Sequence, residues 1–173
     1  VGNYTNGNGQ EVLFSQFEKM NLATNIRYRV SKNQIARFDF IIDNGYNIGY
    51  AALPMDVAFA KAKILGASYQ WFLKGFLEEV NAKVYYNFIN HAMDDSQRPD
   101  VPIRMDMPGQ SETWGAFVEG ESAKIGRQNF FTKLEVFSNY RHAEMTMYPA
   151  NTAEPPMYML TWPDNRRNQS GLS

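Results

Sequence analysis

Hydrophobic and polar positions alternate with a period of two near both ends of the chain and drift to a longer period in the middle. Ile26, Tyr28 and Val30 fall on one side of an extended segment, with Arg27 and Arg29 on the other. After the polar run SKNQ, Ala36, Phe38, Phe40 and Ile42 alternate with Arg37 and Asp39. Aromatic and β-branched residues at this spacing predict strands, because they suit a pleated surface covered on one side. Asp43-Asn44-Gly45 predicts a hairpin turn, since Asn and Gly accept positive φ. The chain then returns through residues 46–53, giving an antiparallel β meander over 25–53.

Residues 55–93 predict a long amphipathic helix. Pro54 suits a first helical turn and Asp56 complements the helix dipole there. Leu65, Tyr69, Phe72, Phe76 and Val80 form one stripe, opposite Gln70, Lys74, Glu78 and Asn81. Beyond Asn81 the apolar direction rotates to Val84, Tyr85, Phe88 and Ile89, which predicts a bend near 81. Gly66 and Gly75 would each cost about 1 kcal/mol relative to Ala in a helix interior, and so suggest close packing. The three prolines of residues 94–113 predict a long loop.

Alternation resumes at Leu134 and Val136 against Lys133 and Glu135, and again at Ala143, Met145 and Met147 against His142, Glu144 and Thr146. A turn at Asn139-Tyr140 brings the apolar sides together and predicts a C-terminal β-hairpin over 128–148. The expected fold class is therefore α+β with extended N- and C-terminal arms. The expected organisation is an arm and lead-in (1–24), one globular domain (25–148) and a Pro-rich tail (149–173). Met157, Tyr158, Met159, Leu160 and Trp162 make that tail too apolar to stay in water, so with Tyr4 of the arm they are the expected interface residues.

Composition narrows the function classes. A length of 173 residues suits one domain. With 17 basic and 18 acidic residues there is no overall field favouring nucleic acid. No apolar run reaches the ~20 residues of a membrane-spanning helix, and the start shows no signal pattern, so no membrane span and a soluble protein are expected. A start at Val1 suggests that a leader or larger precursor precedes it. The absence of cysteine removes thiolate catalysis and disulfides. Aromatic residues at 14 % and 9 methionines fit a well-filled aromatic core or, in the sharper reading, residues at subunit contacts.

Two groups carry candidate chemistry. His91, Asp94 and Asp95 share one side of a helix and are weak metal-ligand candidates, although a ridge of Lys83, Asn87, His91 and Asp94 also reads as a solvated face. The C-terminal hairpin would set Glu135 opposite Glu144 with His142 one pair away. Two facing carboxylates beside an imidazole can hold one carboxyl protonated for acid–base work. The plainer reading is an exposed strand face with Lys133 as counter-charge. No phosphate-loop, dinucleotide or zinc-protease motif occurs, and no cofactor is expected.

The expected function is a non-enzymatic assembly subunit of a virion, phage tail or appendage, self-associating by arm exchange. The alternatives are a small α+β binding domain with Tyr28, Phe38, Phe40, Tyr69, Phe72 and Trp114 around an apolar pocket, and a hydrolase or isomerase using His142 with Glu135 and Glu144.

Overall fold

The computed structural model describes residues 1–99 and 101–173. Seven strands follow one another: β1 (Glu18–Ser31), β2 (Gln34–Ile48), β3 (Asp56–Phe72), β4 (Leu77–Asp94), β5 (Arg104–Ser122), β6 (Phe131–Tyr148) and β7 (Met157–Leu172). They form one antiparallel sheet in sequence order, each strand hydrogen-bonded only to its neighbours along the chain. The described residues contain no helix.

This corrects the α+β expectation. The expected helix over 55–93 is a hairpin of two long strands, β3 and β4, joined around Gly75. Gly75 has φ +136°, a value that L side chains rarely adopt, so it is a turn residue. Residues four apart share a side in a strand as well as in a helix, which is why Leu65 and Tyr69 fitted both periods. The expected turn at Asp43-Asn44-Gly45 lies inside β2, where Asn44 pairs with Met20 and Lys61. The chain reverses later, between Ile48 and Asp56. The expected hairpin over 128–148 is also one unbroken strand, β6, and its supposed turn residues Asn139 and Tyr140 pair with Thr113 and Glu112 of β5.

Nor are the chain's ends simple extended arms. Residues 157–172 are β7, added to β6, and the first strand begins at Glu18. The expected loop over 94–113 ends at Arg104, and β5 runs on through Pro108; Asp100 of that loop lies outside the described residues.

Strand lengths run from 14 to 19 residues. At ~3.3 Å per residue, the longest spans about 60 Å, far beyond the usual five or six residues. Two tight connections (around Asn33 and Gly75) and the longer segment 123–130 lie at one end of the sheet, the turn end. The segments 49–55, 95–103 and 149–156 lie at the other, the loop end.

Among the described residues no layer covers either side, so the buried apolar core is small: Ile35, Met55 and Val57. Met55 and Val57 lie at the loop end beside a buried ion pair. Arg98 Nε donates to Asp56 Oδ2 at 2.9 Å, and its Nη2 donates to the Tyr50 carbonyl at 2.9 Å. The guanidinium stacks on the Phe14 ring, 3.8 Å from its centroid, which ties the N-terminal segment to the loops. Asp95 accepts from the Met105 amide at 3.0 Å and pairs with Arg104 at 3.6 Å.

Removing one partner of a buried pair leaves the other charge uncompensated, at a cost of about 3–5 kcal/mol. Arg98→Ala is therefore expected to loosen the loop end selectively. The measurement is amide hydrogen exchange at Tyr50, whose N–H donates to Asp56 at 3.0 Å. Exchange should accelerate there and stay unchanged at Tyr85 in the middle of β4.

Candidate functional site

Directly opposed residues of an antiparallel sheet share a face, so the register sorts the side chains into two sets. One set is apolar. From β2 to β5 it contains Ala36, Phe38, Phe40 and Ile42; Leu65, Ala67, Tyr69 and Trp71; Val80, Ala82, Val84 and Tyr86; then Trp114, Ala116, Val118 and Gly120. Leu22, Thr24, Ile26 and Tyr28 extend it onto β1, and Leu134 and Val136 onto β6.

No charged side chain interrupts this band. Tyr28, Tyr69 and Trp71 mark its turn end, and Tyr86 and Trp114 mark its loop end. Beyond the loop end charges appear at once: Lys63, Lys61 and Glu112 occupy the next positions on the same face. The band is exposed, with Tyr28 at 66 %, Val84 at 56 % and Trp114 at 50 %. An uncovered apolar area of this extent is rare on a protein surrounded by water.

The opposite face is a polar lattice over the same height. Arg37 Nη2 donates to Gln70 at 2.9 Å, and Gln70 Nε2 donates to Glu79 at 2.6 Å. Asn81 donates to Glu119 at 2.8 Å, Asn139 to Thr113 at 2.7 Å, and Arg141 to Asn139 at 2.6 Å. Lys133 pairs with Glu135 at 3.2 Å and stands over the Phe117 ring. Tyr85 lies across Gly115, where any Cβ would collide with its ring, and Lys83 lies against Gly66.

The sequence-expected groups are redistributed. Glu135 and Glu144 sit nine positions apart on β6, on opposite faces and about 30 Å from each other, so the facing carboxylates do not exist. His142 keeps Glu144, at 3.3 Å, and gains Asp164 of β7, at 2.8 Å. Tyr140 donates to Asp164 at 2.6 Å and Tyr158 to Glu144 at 2.8 Å, completing a cluster on the band's face beyond its loop end. Nothing in the sequence periodicity placed Asp164 there, because β7 was read as a tail.

The expected metal trio also separates. His91 points to the polar face over Gly109. Asp94 instead accepts from Ser96 in the following turn, and Asp95 is buried against Met105 and Arg104. Among the described residues no group of three His, Cys, Asp or Glu is placed to hold a metal ion.

Of the expected interface residues, Tyr4 is exposed in the N-terminal segment. Met157 and Met159 lie on the polar face opposite Met147 and Met145, while Trp162 faces Ala143 with Arg141 over its ring at 5.3 Å. Tyr158 lies on the other face with Glu144, and Leu160 falls between them at the irregular part of β7, half exposed. Of the residues expected around a pocket, Tyr28, Phe38, Phe40, Tyr69 and Trp114 share the open apolar face, and Phe72 pairs with Glu79 on the other.

No helix among the described residues is long and apolar enough to cross a membrane, a statement that leaves strands untouched. No known protein family and no curated protein matches the chain. Among solved structures it is similar to the copper transporter OprC, with a TM-score of 0.76 and 22 % identity over 95 % of this chain and 26 % of that one. The likeness shows the fold, and the chain spans about a quarter of that protein's length.

Within the His142 cluster, the Tyr140 hydroxyl and then the His142 ring hold the Asp164 carboxyl below its ordinary value of 3.8. A depressed carboxylate contributes stability above the unfolded value and loses it as pH falls through the folded one, so this contribution disappears in acid below that value. Tyr140→Phe removes the larger cause. Carbon-13 NMR of the Asp164 carboxyl is expected to show its midpoint rising, and an unmoved midpoint would show that the hydrogen bond does not act.

Proposed function

We propose that this chain is part of the wall of a transmembrane β-barrel, with the apolar band against lipid and the polar lattice lining a water-filled interior used for transport. The observation that carries this reading is the uncharged band that continues across consecutive strands, with aromatic residues at both limits. Transmembrane strands alternate apolar-out with polar-in and carry aromatic girdles at the two interfaces. On β4 the uncharged band runs from Val80 to Tyr86, and Phe88, flanked by Lys63 and Glu112, marks the charged boundary next to it; a tilted strand crosses a bilayer with ~9–11 residues, so the boundary pleats would lie in the interface. The rest of each strand, including the His142 cluster, projects beyond the membrane on the loop side.

Lipid offers no partner for backbone N–H and C=O groups, so every strand edge at membrane depth must be paired. β1 and β7 each pair on one side only. Both run in the same direction, so they cannot close antiparallel on each other. Closure therefore requires further strands, and an edge offered to another copy is the form that self-association would take. The similarity to a copper transporter supports transport as the purpose of the polar interior; the fold likeness does not extend to the cargo.

The chain has no cysteine, so single cysteines carrying spin labels report without background. In the intact protein in phospholipid bilayers, labels at Val84 and Ala116 should be reached by oxygen dissolved in lipid. Labels at Lys83 and Thr113 should be reached by a water-soluble nickel chelate. The same accessibility at all four positions sinks the proposal. Independently, Ala116→Arg should cost about 2–4 kcal/mol of folding free energy in bilayers, whereas Thr113→Arg should cost much less.

A further inference from the structure

The polar face changes character at the loop end, where its lattice of Asn, Glu and Arg gives way to methionine. Register sets Met105 of β5 opposite Met147 of β6, and Met147 opposite Met157 of β7, so three thioethers stand in one row across three strands. One pleat nearer the turn end, Met145 is opposite Met159. The pairs Asp106↔Thr146 and Gly109↔Ala143 place Met107 beside Met145, which makes a second row of three. Met107 is also opposite Met93 of β4, and His91, two positions along, lies on the same face over Gly109.

Seven of the chain's 9 methionines thus occupy one patch on four adjacent strands. Met20 and Met55 are the two outside it. The side chains of β4, β5 and β6 in the patch are half-buried, and Met157 and Met159 are 47 % exposed. The sulfurs are therefore reachable from the open side. Opposed Cβ atoms in such rows lie about 4.5–5.5 Å apart, and methionine has three rotatable bonds beyond its Cα, so neighbouring sulfurs can turn onto one ion between them.

We propose that this patch is a binding site for a soft monovalent cation, Cu(I) or its analogue Ag(I), held by methionine sulfur. Thioether is a soft, uncharged ligand that selects Cu(I) over the hard divalent ions favoured by carboxylate and water. Leucine would fill the same volume, and nothing about packing alone asks for sulfur in both rows. Two rows and a flanking imidazole offer several overlapping ligand sets, an arrangement suited to passing an ion along a surface. The proposal names the cargo class for the transport reading, and it rests on that reading only for the patch's opening into the barrel interior.

The test is calorimetric titration of the intact protein, in detergent or bilayers, with Ag(I), with Cu(I) held in acetonitrile, and with Zn(II). Met107→Leu, Met145→Leu and Met147→Leu are combined in one variant, which removes the opposed partner of every other methionine in both rows. Leucine for methionine conserves volume and generally costs under ~1.5 kcal/mol, so the fold is expected to survive, which the β-sheet circular dichroism checks. Met20→Leu is the control. Ag(I) and Cu(I) should bind far more tightly than Zn(II), the triple variant should weaken them at least tenfold, and the control should leave them unchanged. X-ray absorption at the silver edge should show sulfur neighbours. Absence of Ag(I) binding, or binding that the folded triple variant retains within twofold, overturns the site. The two proposals fail separately: metal binding without the alternating label accessibility would remove the barrel and keep the site.

Discussion

Antiparallel register is the constraint from which the other features of the structure follow. Without a covering layer, what fixes each strand is its ladder of backbone hydrogen bonds to its neighbours, as in the continuous pairing from Gln34↔Trp71 to Tyr46↔Phe59. Side chains alternate with a period of two, so a slip by one residue would carry Asn81 and Lys83 into the band and Val80, Ala82 and Val84 into the lattice. The two faces reject that exchange for different reasons. Charges on the apolar side would break a continuous uncharged band, and the hydrogen-bonded chain from Arg37 through Gln70 to Glu79 would lose its partners.

What was legible in the sequence was local, and what was lost was length. Alternation at Ile26, Tyr28 and Val30, and again from Ala36 to Ile42, marks residues that do lie in β1 and β2. Between Asp56 and Asp94 the same alternation is hidden, because small residues such as Ala60, Ala62 and Gly66 stand where a polar face would ordinarily declare itself. A spacing of four satisfies both periods, and so the ridge of Lys83, Asn87 and His91 read as one side of a helix when it is one side of β4. Turn-forming dipeptides misled in the same way. Asp43-Asn44-Gly45 has the chemistry of a hairpin, but in a strand of 15 residues it is held flat by partners on both sides.

The candidate site was visible only as a residue inventory. The aromatic and methionine counts are unusual, and by themselves they fit a filled core as well as a contact surface. Their meaning depends on which side of the sheet each residue takes, and that follows from pairing between strands far apart in sequence. Met105 and Met157 are brought into one row by two successive hairpins that the sequence does not announce. Likewise Asp164 meets His142 only because β7 irregularly advances three residues where β6 advances two.

The glycines of the polar face carry a consequence for the space in front of them. Tyr85 reclines over Gly115 and Lys83 over Gly66, so two of the longest side chains on this surface lie along the sheet and do not stand out from it. The clear width of any conduit bounded by this surface would then be set by where hydrogen replaces a side chain, and bulkier residues at these two positions would narrow the bore by raising their neighbours.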